Sequence, residues 1–201
     1  MHLPWNDRTK LESESRRAAR LNYSPTPLIR GGLRAVPCHV LGRYTILADV
    51  ETPEITTHLR ESGFWEAWIT LAVARALEGG SHFVDVGANC GYYTSLMAEV
   101  AAARDGQVLA IEPNPDAVQL LRATLELQGH PVGVRAQVRE AAAWHTAGAA
   151  VELFVPANHK SGARIVDERE RTAAGGRAQA ATTTVDAEVA AGPTVDVVRI
   201  V

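Results

Sequence analysis

An α/β fold with a doubly wound, mostly parallel sheet is what the sequence predicts, on three observations. Residues 83–86 form an apolar β-type run carrying Asp85, followed by a loop with Gly87 and Gly91 and then by Tyr93, Leu96, Met97 and Val100 at helical spacing. About one βα unit later, residues 108–112 make a second apolar run that ends in Glu112. The final residues, 195–201, are apolar again and suit another strand of the same sheet. Strand, glycine loop and helix in that order make a cofactor seat, because glycine permits a tight turn and close approach while the helix start offers unpaired N–H groups.

The elements follow in order along the chain. Residues 7–21 are polar and helix-permissive, with Thr9 and Glu12 at capping-box spacing, and Ser24-Pro25-Thr26-Pro27 ends them. Residues 36–41 and 44–50 read as a hairpin around Gly42-Arg43, expected to cover a sheet edge rather than to shape an entrance. Residues 1–60 are accordingly an N-terminal extension of helix and hairpin, and 61–201 the cofactor-binding domain. A helix is expected over 61–78, with Phe64, Trp65, Trp68 and Leu71 on its apolar face and Gly79-Gly80 at its end. Glu66 on that helix either touches ligand or supports packing. Asn114 caps a further helix with Pro115 at its first position, Val118, Leu121 and Leu125 as its buried stripe and Gly129 after it. A third strand is expected over 134–138, a short one over 151–155, and a long polar loop over 156–180 containing His159, Lys160 and the charge run 167–171. Residues 182–185 are β-prone, and Gly192-Pro193 marks a turn before the last run.

Composition excludes several classes. With 201 residues, 46% hydrophobic, and a net charge of −3, the chain is one globular domain with extensions and has no global pull toward nucleic acid or anionic membrane. Arg16, Arg17 and Arg20 read as a solvated helix face. The N-terminus lacks an apolar leader and the most apolar segment, 67–77, is short and interrupted by Arg75, so no membrane partner is expected and the cytoplasm is the expected location. Cys38 and Cys90 make no disulfide framework, and the seven histidines contain no zinc-ligand spacing, so no metal is expected.

The loop spacing bears on the cofactor. A dinucleotide fingerprint requires G-x-G-x-x-G, but from Gly87 the second and third glycine positions hold Asn89 and Tyr92. What stands is D-x-G-x-N-x-G, followed by an acid at a strand tip, where a ribose can present two hydroxyls. Asp85-Val86-Gly87-Ala88-Asn89 with Gly91-Tyr92-Tyr93-Thr94, then Glu112-Pro113-Asn114-Pro115, resembles the FkbM-type methyltransferases over residues 63–201. That resemblance implies a class I methyltransferase Rossmann-like fold and S-adenosyl-L-methionine as cofactor. It implies cofactor contacts at Asp85, Gly87, Ala88, Asn89, Gly91, Tyr92, Glu112, Pro113, Asn114 and Ala142. The loop would pass under the methionine part, Glu112 would take the ribose hydroxyls, and the turn at 141–144 would border the adenine. The chain departs from the family at Thr124 and Gln128, where asparagines are frequent, and near His145, where an acid is common.

The implied reaction is O-methylation of a hydroxyl on a small metabolite or sugar, with no catalytic base assigned. In the family the last strand leads into an acidic D-x-E-G element, and here Val201 stands at the expected aspartate. The expectation is a chain truncated at its C-terminus, with a sheet incomplete after the fourth strand and activity in doubt for that reason. A non-catalytic S-adenosylmethionine-binding module is the alternative reading, with an NAD-dependent oxidoreductase behind it. Assembly into a homo-oligomer is left open.

Overall fold

The computed structural model describes residues 7–21, 27–77, 80–156, 162–166 and 175–201. Ser24, Pro25, Thr26, Glu78, Gly79, His159, Lys160 and the charge run 167–171 lie outside the described residues. Helix α1 (Arg8–Leu21) starts on Asp7, whose Oδ1 accepts the Lys10 N–H at 2.9 Å. Thr9, the expected cap, lies inside the helix, and Glu12 pairs with Arg8 one turn away. Strands β1 (Leu28–Arg30), β2 (Leu33–Val40) and β3 (Tyr44–Asp49) form a three-stranded antiparallel sheet, one strand more than the expected hairpin.

This N-terminal sheet does not cover a sheet edge as expected. It lies on the helical layer: the Leu47 N–H donates to Thr124 Oγ1 at 3.0 Å, Gln128 Nε2 donates to the Thr45 carbonyl at 3.1 Å, and Arg43 and Tyr44 both bind Glu99. The helix expected over 61–78 is also corrected, because two helices meet there. Helix α2 (Pro53–Ser62) has its proline in the first turn and stops at Gly63, whose φ of 71° is the left-handed conformation that ends helices. Helix α3 (Ala67–Ala76) begins after Glu66, itself left-handed at φ 41°.

Two βα units follow, β4 (His82–Val86) with α4 (Tyr92–Ala102) and β5 (Gln107–Glu112) with α5 (Pro115–Leu127), then β6 (Ala136–Glu140). Asn114 caps α5 as expected, its side chain accepting the Asp116 N–H at 3.1 Å. Strand β6 starts two residues later than expected because Gly133, at φ 98°, opens a turn that carries Val134 into solvent. The expected loop over 156–180 is in part a second sheet. Strands β7 (Ala142–Ala143), β8 (Ala150–Pro156), β9 (Arg164–Ile165) and β10 (Gly175–Thr183) align in the order β7-β10-β8-β9. Strand β10 runs antiparallel to β8 from Gly175 opposite Pro156 to Ala181 opposite Ala150.

Where residues 182–185 read as β-prone, the strand ends at Thr183 and α6 (Val185–Val189) begins, capped by Thr184 Oγ1, which accepts the Ala187 N–H at 3.0 Å. Strand β11 (Val197–Ile200) then joins β4 in parallel, with Asp196 Oδ2 accepting the Ser81 and His82 N–H groups at 2.7 and 2.9 Å. The parallel sheet therefore has the order β11-β4-β5-β6, and the α/β class is as the sequence predicts. Strand alternation divides its faces. Phe83, Val108, Ala110 and Ala136 belong to a core shared with α4 and α5 that continues without a break through Leu11, Ile46 and Leu59. Val84, Val86 and Ile111 face the other way, toward Val185 and Val189 of α6.

Candidate functional site

The carboxyl ends of β4 and β5 carry two buried acids with different supports. Asp85, fully buried, takes Thr94 Oγ1 on one oxygen at 2.7 Å and Arg199 Nη1 on the other at 3.1 Å. Burial pushes its carboxyl above the ordinary range, against the pull of Arg199 and Thr94. Glu112, 6% exposed, has no cation beside it among the described residues and accepts two backbone N–H groups instead, Asn89 at 2.8 Å and Asn114 at 3.0 Å. Burial also raises its carboxyl, opposed by those two amides.

The loop between β4 and α4 turns at three alternate positions. Gly87 and Gly91 have φ of 77° and 88°, and Asn89, the other turning residue, has φ 51°. Asparagine tolerates that conformation because its short amide bonds locally, here through Oδ1 to the Cys90 N–H at 2.7 Å. Gly87 and Ala88 donate their N–H groups to the Ile111 carbonyl at 2.9 and 3.2 Å, which ties the loop to the end of β5. A Cβ on Gly91 would stand 2.4 Å from Leu121 Cδ1, so the packing of Leu121 against the loop favours glycine there as well.

A cleft of about 630 Å³ opens over these strand ends. Of the residues expected from sequence, Gly87, Ala88, Asn89, Tyr92, Glu112, Pro113 and Ala142 line it. Asp85, Gly91 and Asn114 do not: Asp85 lies beneath with Thr94, Gly91 is turned to α5, and Asn114 caps α5 beside a small cavity near Asp49. The opposite wall comes from the second sheet, through Leu153, Arg164 and Ile165, and α2 adds Glu54 and Ile55.

Sequence reasoning missed Arg199. Its guanidinium lies 3.8 Å from the Tyr93 ring centroid and its Nη2 lies 3.6 Å from Glu66 Oε2, which also accepts the Tyr93 hydroxyl at 3.0 Å. The signal was a single arginine inside the apolar run V-V-R-I-V, since a charge in a packed strand needs a partner.

The polar groups in reach are poor nucleophiles. Burial raises the Tyr92 hydroxyl to about 12 and pushes that of Tyr93 up as well, so both stay protonated at neutral pH. Burial raises the Cys90 thiol to about 12, so a thiolate is absent too. No group of three metal-ligating side chains occurs among the described residues. A second cavity, of about 330 Å³, lies on the α6 face of the sheet between Leu109, Val138 and Val189. Its nearby charges are already paired, Arg139 Nε standing 2.8 Å from Glu188 Oε1.

No family model matches the chain, and no curated protein matches it. Among solved structures it is similar to an S-adenosylmethionine-dependent methyltransferase from Agrobacterium tumefaciens, at 13% identity and a TM-score of 0.35 over 59% of this chain and 32% of that one. It is also similar to a transferase from Pyrococcus horikoshii, at 16% identity and a TM-score of 0.32 over 59% of this chain and 37% of that one. The chain spans about a third of the length of these structures.

Proposed function

We propose that the cleft over β4 and β5 holds S-adenosylmethionine and that the chain belongs to a methyltransferase acting on a hydroxyl of a small metabolite or sugar. The observation that carries the reading is Glu112: a carboxylate at the tip of the second parallel strand, lining the cleft beside Gly87, Ala88 and Asn89. Each of its oxygens accepts one N–H and has acceptor capacity left for a ribose hydroxyl.

The residues present fit such a ligand. The cleft volume is within the range of about 300–1,000 Å³ typical of small-molecule sites. Ala142 and Ala143 leave one wall free of bulky side chains, as a flat base requires. Carboxylates of Glu54, Glu66 and Glu112 outnumber the guanidinium groups of Arg164 and Arg199 on its lining, which favours a cationic ligand over a pyrophosphate. That balance, with the missing glycine spacing, argues against a nicotinamide dinucleotide.

When bound, S-adenosylmethionine supplies an activated methyl group on a sulfonium. The protein's part is then to bind and orient. Glu112 would fix the sugar, the Gly87–Asn89 turn admits close approach of the backbone, and Leu153 and Ile165 give the same space an apolar wall. Alignment of donor and acceptor alone can supply up to about 7–11 kcal/mol of the barrier reduction, so a strong base is not demanded. The test is calorimetric titration with S-adenosylhomocysteine. Saturable binding that weakens about tenfold or more in Glu112→Gln supports the reading, on the scale of a charge-assisted hydrogen bond. A folded wild-type chain that binds none contradicts it.

A further inference from the structure

Resting on that reading, we propose that Glu66 and Arg199 form the seat of a zwitterionic α-amino-acid group in the cleft, Glu66 facing its ammonium and Arg199 its carboxylate. Both residues line the cleft beside Val86 and Gly87, at the end of it set by β4 and β11. The Arg199 side chain is 10% exposed, yet part of its hydrogen-bonding capacity is unused. Nη1 donates to Asp85, Nη2 stands 3.6 Å from Glu66 without a hydrogen bond, and Nε is buried with no partner. A guanidinium has five N–H donors, and leaving the buried Nε–H unpaired is costly unless a ligand takes it.

Glu66 is held with equal specificity. Its backbone is left-handed at φ 41°, a conformation a glutamate enters only under constraint, and it serves as the N-cap of α3. That strain aims the carboxylate toward Tyr93 and Arg199, where Oε2 accepts the Tyr93 hydroxyl at 3.0 Å. The Tyr93 ring, stacked on the guanidinium at 3.8 Å, fixes the plane in which Arg199 can present its donors. A cation and an anion side by side, loosely joined, match the two ends of an amino acid better than either end of an adenosine. Asp85 below supplies the counter-charge that keeps Arg199 in place when Glu66 turns to a ligand.

The experiment compares two probes by calorimetry: S-adenosylhomocysteine, which carries the amino-acid group, and 5′-methylthioadenosine, which keeps the adenosine and thioether and lacks it. The wild-type chain is expected to prefer S-adenosylhomocysteine by about tenfold or more, the scale of a hydrogen-bonded charge pair. Glu66→Gln and Arg199→Lys are expected to collapse that preference while leaving 5′-methylthioadenosine affinity unchanged. Equal affinity of the wild type for the two probes, or variants that weaken both probes alike, would overturn the proposal. Binding of neither probe overturns the cofactor reading itself, and this assignment with it. Should Arg199→Lys fail to fold with Asp85 uncompensated, Glu66→Gln decides alone, its side chain being 37% exposed.

Discussion

The two walls of the cleft are built on different terms. The parallel sheet is packed on one face by α4 and α5 within a core that extends to the N-terminal sheet, so Phe83, Val108 and Ala110 are each at most 1% exposed. The mixed sheet opposite has a buried cluster of its own comprising only Ala142, Leu153 and Ala180 among the described residues. The first wall holds Glu112, Asp85 and Arg199 in fixed geometry. The second offers mainly shape, through Leu153, Arg164 and Ile165. Packing is thus concentrated on the wall that carries Glu112 and Arg199, and the thinner wall has less buried surface to hold it rigid.

The difference between the walls is largest at Phe83. Phe83→Ala is expected to destabilise the whole domain by about 3–5 kcal/mol, because the cavity opens in a core that cannot collapse. Urea denaturation followed by near-UV circular dichroism checks it; a loss below about 1 kcal/mol would mean the parallel sheet is not the stable wall. Leu153→Ala is expected to cost less, about 2 kcal/mol, since the surrounding sheet is thin and can relax. Hydrogen exchange should show that loss confined to amides of β8 and β10, whereas equal loss across β4 and β5 would make the two walls one cooperative unit.

The smallest effect is electrostatic. Burial raises Glu112 above its ordinary value of 4.5, so the fold favours the neutral acid more than the unfolded chain does. Its contribution to stability is therefore full below 4.5 and lost as pH rises through the raised value. Glu112→Gln should flatten that decline in a series of denaturation midpoints taken from acid to neutral pH. An unchanged slope in the variant would place the pH dependence elsewhere.

Legibility in the sequence followed the same division. Strands β4 and β5 could be read because their apolar runs ended at a turn or an acid, β11 because its run followed the Gly192-Pro193 turn, and α5 because Asn114, Pro115 and the Val118, Leu121, Leu125 stripe all agree. Strand β10 was legible only at its last two residues, Thr182 and Thr183: G-G-R-A-Q-A-A-T-T has little apolar alternation, and the rest of its conformation is imposed by pairing with β8. Helix α2 was hidden because its punctuation, Pro53 and Gly63, stood next to aromatics that suggested one longer helix. At the site, Glu112 and Gly87 were legible by spacing. Arg199 was not, since its partners Asp85, Glu66 and Tyr93 converge on it only through the β11–β4 pairing and the turn at Glu66.

Occupation of the cleft over β4 and β5 is tested by amide NMR of the chain titrated with S-adenosylhomocysteine, with the signals assigned. Saturable shifts are expected at Gly87, Ala88, Asn89 and Asn114, with the N-terminal strand β1 unmoved. Shifts centred instead on Val108, Val138 and Val189, around the cavity on the other face of the sheet, or no shifts at all from a folded chain, would contradict it.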